Sequence, residues 1–419
     1  MVPRDLIGFA YTSEWALAKF FTALFEDGVS ETFNLAGICG REKQPSEVIE
    51  RLTREIGERY HALESKQDWR YNNTLAEIRS ATYLIERLRK VKLKYYSIAN
   101  GNAQTIPEEE YDGAIFTTNL THLDYISALA QKGHNILCEK PLVIVTDRFH
   151  KADRTQLDKL EEVIDEIESR GIVAMDAEHY SAKKATMTFY ERVGDMVMKY
   201  GRISKVEAHT SEKDDPNKIR TRNLLSKENR TGLLLDMGVH LFGVISNIGG
   251  TIPIIHKAVY GCYPGNPDTS EYKACGPYNV ETYVETEFKI QGNFFHPESS
   301  GKFVFEKFID RIEGNDKDIK DSKKLKVTFR NDSGIETEVI VDFNQGTVIS
   351  SDKKEWKPLS YISSNEYSNI LREFGRAIRS DEQSRTSFKR SVQNLDTIYR
   401  IYRDFPFEDN KIKVYRTIR

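Results

Sequence analysis

Residues 1 to about 150 alternate between short apolar runs and helical patterns, and this alternation constrains the fold more than any other feature. Helical spacing of apolar residues runs from Ser46 to about His61 and from Leu123 to Lys132. Strands that alternate with helices predict βαβ units, in which parallel strands form a helix-covered sheet. The apolar runs predict strands at residues 5–9, 34–39, 93–98, 111–117 and 135–138.

After a further strand predicted at residues 172–177, the pattern changes to long segments of alternating apolar and polar residues. These segments predict an antiparallel sheet. Two late helices, at about 365–379 and 390–405, carry apolar stripes. Because 419 residues are too many for one ordinary core, we predict an α/β domain at 1–150 and an α+β domain at 151–419, with the last helices packing back on the first domain.

Composition excludes several classes of protein. The chain is 39% hydrophobic and 30% charged, and it has no run of eighteen apolar residues, so no membrane span is expected. Its first residues lack the build of a signal peptide. Four cysteines without C-x-x-C spacing argue against a disulfide framework or a cysteine metal site, and they fit a reducing cytoplasm. A net charge of −3 argues against a nucleic-acid partner.

Two short motifs carry groups suited to proton transfer. Lys140 lies between Glu139 and Pro141, directly after a predicted strand, where α/β sheets bind ligands. It can polarise a reacting oxygen, although a surface lysine is the alternative. Asp236 and His240 are four residues apart and are predicted to share one helix face. Histidine suits a general base because it titrates near neutral pH. A capping aspartate with a core histidine is the alternative.

The loop after the first strand is the place where dinucleotides bind in folds of this type. Only Gly8 of a G-x-G-x-x-G pattern is present, with the small residues Ala10 and Ser13 in the other two places. A plain βα turn is the alternative. Arg41 stands where an acidic residue would bind the ribose of NAD, so it favours the 2′-phosphate of NADP, unless it belongs to a solvated basic turn.

These motifs resemble those of the glucose-fructose oxidoreductase, inositol dehydrogenase and MocA family, over Tyr111–Leu142 and Gly232–Gly250. The resemblance implies an N-terminal Rossmann domain and a C-terminal α+β domain with an open, mainly antiparallel sheet. It implies that Lys140 lies beside nicotinamide and substrate, and that His240 is the base. By the same resemblance Asp236 orients the substrate and tunes the base. Gly243 departs from the pattern, since many relatives carry aspartate there.

The loop after the first strand, Arg41 and the resemblance together give the wider predicted site, which contains no metal ligand. His122 has an equally compatible structural role at the helix start, and Tyr180 one in rim packing. The residues predicted to bind substrate are Lys140, Tyr180, Asp236 and His240. Those predicted to bind cofactor are Gly8, Ala10, Tyr11, Ser13, Arg41, Thr117, Thr118, Asn119, His122, Glu139 and Lys140.

The sequence therefore predicts a cytoplasmic NAD(P)-dependent oxidoreductase that acts on a CH–OH group of a sugar, sugar derivative or cyclitol. The resemblance implies a homodimer or homotetramer. One alternative is a non-catalytic regulator on the same fold that senses dinucleotide or sugar. Another retains a tightly held cofactor that is oxidised and reduced again within one turnover. Three arginines before the second motif fit either an anion site or a solvated loop: Arg220, Arg222 and Arg230.

Overall fold

The chain divides into two compact units. Unit 1 comprises Met1–Leu142, Leu160–Ala177 and Asn365–Phe388, and unit 2 comprises Val143–Lys159, Glu178–Ser364 and Lys389–Arg419. The computed structural model describes residues 4–9, 20, 23–24, 28–40, 44–64, 78–79, 81–82, 85–86, 89–90, 94–97, 111–116, 122–147, 150–213, 232–249, 252–261, 281, 283–308, 322–380 and 384–407.

The elements follow the predicted alternation, with strands and helices interleaved in the first part of the chain. The strands are β1 Arg4–Phe9, β2 Phe33–Gly40, β3 Lys94–Ser97, β4 Gly113–Phe116, β5 Asn135–Cys138, β6 Ala174–Asp176, β7 Arg202–Lys213, β8 Ile254–Gly261, β9 Tyr283–Lys289, β10 Phe295–Phe308, β11 Ser322–Arg330, β12 Glu336–Asp342 and β13 Thr347–Ser350. The helices are α1 Pro45–Glu64, α2 His122–Gln131, α3 Thr155–Ser169, α4 Lys184–Tyr200, α5 Val239–Ser246, α6 Glu366–Ser380 and α7 Phe388–Asp404, with a π-helical turn at Leu234–Gly238.

Unit 1 contains a parallel sheet. Among the described residues its six strands lie in the order β3-β2-β1-β4-β5-β6, and every neighbouring pair is parallel. The predicted Rossmann-type sheet is therefore confirmed. Helix α6 also belongs to this unit, because Tyr367 packs edge-on against Phe20 at 4.6 Å and Phe374 stacks on Phe33 at 5.9 Å.

Unit 2 contains the predicted open, mainly antiparallel sheet. In the described part of the unit, seven strands lie in the order β13-β12-β11-β7-β10-β9-β8. Neighbouring strands are antiparallel except β7 and β10, which run parallel. Three of its elements were not predicted from the sequence, namely α4, β8 and β13. No described helix is long and apolar enough to cross a membrane.

An aromatic cluster holds α5 on this sheet. Phe242 of α5 lies 5.4 Å from the ring centroid of Phe303 and 6.2 Å from that of Phe288. All three rings are fully buried. Phe288 in turn fills the space above Gly301 on the neighbouring strand, where a Cβ atom would lie 2.1 Å from its ring. The position of α5, which carries His240, therefore depends on a glycine at residue 301.

The Gly301→Ala variant tests this packing. Because the new methyl group has no room beside the buried Phe288 ring, we expect the free energy of unfolding to fall by about 1–3 kcal/mol. The control is Gly194→Ala in α4, where a Cβ atom meets nothing within 4 Å. We expect that change to stabilise the helix by about 1 kcal/mol. Equal urea midpoints for the two variants would contradict the role of Gly301.

Candidate functional site

In unit 1 the lysine motif lies at the carboxyl edge of the parallel sheet. The Glu139 amide donates to the Phe116 carbonyl at 2.8 Å, which continues the pairing of β4 and β5 one residue past β5. Lys140 follows, partly exposed, and its peptide bond to Pro141 is cis. This edge is where open α/β sheets bind ligands. The structure thus places Lys140 and Glu139 at the edge that the sequence predicts.

His122 holds the turn that follows the lysine. Its side chain is 3% exposed, and its Nδ1 lies 2.8 Å from the carbonyl oxygen of Pro141. A carbonyl oxygen only accepts hydrogen bonds, so Nδ1 carries the proton and donates it. The ring also packs edge-on against Phe116 at 6.5 Å. His122 therefore connects the start of α2 to the turn beside Lys140.

Of the loop predicted to bind the cofactor, Gly8 is among the described residues. Gly8 lies in β1, where it is in register with Ile38 of β2 and Ile115 of β4. The predicted cofactor residues that follow β1, β2 and β4 lie outside the described residues: Ala10, Tyr11, Ser13, Arg41, Thr117, Thr118 and Asn119.

In unit 2, His240 pairs with a carboxylate that the sequence analysis did not single out. The Nδ1 atom of His240 lies 2.5 Å from Oε1 of Glu178, and both side chains are about 5% exposed. The backbone amides of Tyr180 and Ser181 also donate to this carboxylate, at 2.9 and 2.7 Å. Such donors satisfy a buried carboxylate, so the surroundings of Glu178 suit the form that accepts a hydrogen bond from the imidazole.

This hydrogen bond fixes the tautomer of the imidazole. A carboxylate accepts hydrogen bonds only, so Nδ1 of His240 must carry a proton. In the neutral ring Nε2 is then the basic nitrogen. When Nε2 takes up a proton, the Glu178 anion stabilises the resulting imidazolium, as the carboxylate of a catalytic triad does. The geometry of the pair therefore leaves Nε2 as the nitrogen with the basic lone pair.

Aromatic rings enclose the imidazole. Tyr180 stacks on His240 with 4.7 Å between centroids and 17° between planes, and His179 packs edge-on at 4.2 Å. Tyr180 also contacts Phe343 at 5.0 Å. The sequence left Tyr180 between a substrate contact and a packing role. The structure shows the packing contact, since the ring is 4% exposed and supports the face of His240.

Asp236 lies in the π-helical turn that precedes α5, and its side chain is 8% exposed. The sequence predicted an ordinary helix face for Asp236 and His240. The structure differs locally, because a π-helical turn closes i→i+5 hydrogen bonds and is wider than an α-helical turn. Such turns are frequent at functional sites. The residue pattern of this segment does not predict the π-helical turn.

Gly243 lies beside Glu178. A Cβ atom at residue 243 would lie 3.6 Å from Cγ and Oε2 of Glu178 and 3.4 Å from Nδ2 of Asn394. The carboxylate therefore occupies the space beside the position where the resembling family often has aspartate. The sequence did contain an indication that Glu178 belongs to the site, because this residue follows the end of a predicted strand and precedes His179 and Tyr180. No group of metal ligands occurs among the residues that the structure describes.

The fold is similar to that of several solved oxidoreductases. An aldose-aldose oxidoreductase from Caulobacter crescentus, complexed with glycerol, matches with a TM-score of 0.63 over 96% of this chain and 97% of that chain, at 14% identity. A levoglucosan dehydrogenase in complex with NADH and levoglucosan matches with a TM-score of 0.63 over 95% and 96%, at 15% identity. An inositol dehydrogenase homolog complexed with NAD+ from Azotobacter vinelandii gives 0.60 over 95% and 94%, at 12% identity.

This chain has the two-domain fold of these oxidoreductases. The fold implied by the motif resemblance is thereby confirmed. No protein-family model matches the sequence, and no curated protein matches it. At 11–15% identity the likeness concerns the fold alone, so activity must be argued from the residues.

The Glu178→Ala variant tests the buried carboxylate. It leaves two backbone amides and the imidazole N–H without their acceptor, so we expect the free energy of unfolding to fall by about 3 kcal/mol. Glu191→Ala is the matched control. The Glu191 carboxylate also accepts from two successive amides, those of Leu359 and Ser360, but at the surface, where water replaces it. A loss in Glu191→Ala as large as in Glu178→Ala, measured by urea unfolding, would show that burial of the carboxylate is unimportant.

Proposed function

We propose that this protein is an NAD(P)-dependent oxidoreductase that acts on a secondary alcohol of a sugar, sugar derivative or cyclitol. The observation that carries the proposal is the buried hydrogen bond from His240 Nδ1 to Glu178. It gives the imidazole the tautomer that a general base for a hydroxyl proton requires. The three solved structures reported above are named for sugars or a cyclitol, and two of them are complexes with NADH or NAD+.

The parallel sheet of unit 1 fits a dinucleotide. Its described strands follow the order 3-2-1-4-5-6, in which the connections reverse direction between β1 and β4. That reversal is where such folds bind dinucleotides. Gly8 lies in β1, and Lys140 follows the end of β5, a strand of the same sheet. A nicotinamide bound to this sheet would supply the chemistry of hydride transfer to or from the substrate carbon.

The remaining roles fall to side chains of this protein. Nε2 of His240 takes the hydroxyl proton as the alcohol becomes a carbonyl, and returns it in the reverse direction. The Glu178 carboxylate stabilises the imidazolium in between. Lys140 donates a hydrogen bond to the reacting oxygen, and Asp236 orients the neighbouring hydroxyls. These assignments for Lys140 and Asp236 rest on the motif resemblance, together with the positions of both residues in their own units.

Three finer expectations belong to the same proposal. NADP is preferred over NAD, because a cation at Arg41 can meet a 2′-phosphate. The chain forms a homodimer or homotetramer, as the resemblance implies. It acts in the cytoplasm, which the cysteine usage supports.

Dinucleotide titration and a polyol screen test the proposal. We expect micromolar binding of NADP(H) or NAD(H), and hydride transfer with at least one sugar or cyclitol. The variants Lys140→Ala and His240→Asn should each lower kcat/KM by about 10²–10⁴-fold, the usual effect of losing a proton-transfer group. Lys132→Ala is the control, since it removes an exposed lysine from the same unit.

The outcomes separate the candidate functions. Dinucleotide binding without turnover of any polyol would favour a sensor on the same fold. Absence of binding to all four dinucleotide forms would overturn the oxidoreductase proposal. Equal losses in Lys132→Ala and Lys140→Ala would remove Lys140 from the site.

A further inference from the structure

A second buried carboxylate lies at the other end of the segment that carries Asp236 and His240. Glu281 is fully buried, and its Oε1 accepts hydrogen bonds from the Leu234 amide at 3.1 Å and the Tyr402 hydroxyl at 2.6 Å. Its Oε2 pairs with Nε2 of His150, whose side chain is 4% exposed. The sequence analysis singled out none of these residues.

Glu281 is held as an anion. Burial alone would raise its pKa, but the opposing contributions of His150, the Tyr402 hydroxyl and the Leu234 amide outweigh burial and leave the pKa of Glu281 below its ordinary value. Burial, and after it the Glu281 anion, raises the pKa of Tyr402, so this hydroxyl stays protonated and donates. A permanent negative charge therefore faces the Leu234 amide.

That amide lies at the start of the π-helical turn. Amides in the first turn of a helix have no partner within the helix, and a negative charge there is favourable because of the helix dipole. The contact is close: Gly232 has φ of +52°, and a Cβ atom there would lie 2.5 Å from one Glu281 oxygen and 2.6 Å from the other. Any other residue at position 232 would push the carboxylate away from Leu234.

We propose that His150, Glu281 and Tyr402 are positioning residues for the acid–base pair. They fix where the Leu234–Gly238 turn begins, and this sets the placement of Asp236 two residues later and of His240 in the following turn. The inference rests on the proposed function, because it assigns these residues to the placement of the same base. The three side chains act on the base through the backbone of the turn, by way of the Leu234 amide.

If Tyr402 had a purely structural role, removal of its hydroxyl would lower the stability of the protein. It would not affect His240 more than the removal of another buried tyrosine hydroxyl does. Tyr260 provides the contrast. Its ring lies parallel to that of Tyr402, 6.1 Å away, and its hydroxyl donates to the Ile401 carbonyl at 3.3 Å. Both tyrosines are buried, and both hydroxyls have a partner. Only the Tyr402 hydroxyl donates to Glu281.

The experiment compares Tyr402→Phe with Tyr260→Phe in the full chain. Thermal midpoints report the shared cost of losing a buried hydroxyl. We expect kcat to fall at least about tenfold in Tyr402→Phe, as a small misplacement of a catalytic group does, with little change in KM and with near wild-type kcat in Tyr260→Phe. We also expect the imidazole resonances of His240, assigned through the His240→Asn variant in histidine-labelled protein, to shift in Tyr402→Phe only.

The imidazole resonances make the two proposals separable. If the wild type oxidises no polyol but the His240 signals move in Tyr402→Phe alone, the positioning role holds and the proposed function fails. If kcat and the His240 signals change equally in the two tyrosine variants, or in neither, the positioning role is overturned. Glu281→Gln serves if Tyr402→Phe does not fold, because its amide oxygen still accepts from Leu234 while the charge is lost. Unchanged His240 signals in that variant would likewise overturn the proposal.

Discussion

The hydrogen bond between Glu178 and His240 is the interaction on which the candidate site depends. Burying a carboxylate is costly unless donors surround it. Two backbone amides and one imidazole N–H donate to Glu178, and these hydrogen bonds offset the cost of burial. The geometry that stabilises the anion also determines which nitrogen of the imidazole is basic. The same three contacts therefore stabilise the buried carboxylate and set the tautomer of His240.

The helical segment from residue 232 to residue 246 is fixed at several points. Glu281 holds its first turn through Leu234, and Glu178 holds His240 further along. Phe242 anchors α5 to the sheet beneath it through the aromatic cluster. Two glycines allow this close packing. A side chain at Gly232 would collide with the Glu281 carboxylate, and one at Gly301 would collide with the Phe288 ring. These contacts hold the proposed base in place before a substrate binds, and such positioning contributes to catalysis.

The sequence predicted the architecture better than the site. Apolar periodicity is a local signal, so the parallel strands and the edge that carries Lys140 could be read directly. The partner of His240 is 62 residues away in the chain, and no spacing rule links Glu178 to position 240. The π-helical turn and the parallel pairing of β7 with β10 depend on tertiary packing in the same way. Gly243 was noticed as a departure, but only the structure shows that a carboxylate from another part of unit 2 lies beside it.

The most direct test of the account is the tautomeric state of His240, read from the ¹⁵N chemical shifts of its imidazole in selectively labelled protein at a pH where the ring is neutral. The account predicts a protonated Nδ1 and a basic Nε2, with the Glu178→Ala variant, which removes the acceptor, losing this preference. A ring that carries its proton on Nε2 in the wild type would contradict the account, because the nitrogen assigned to accept the substrate proton would already hold one.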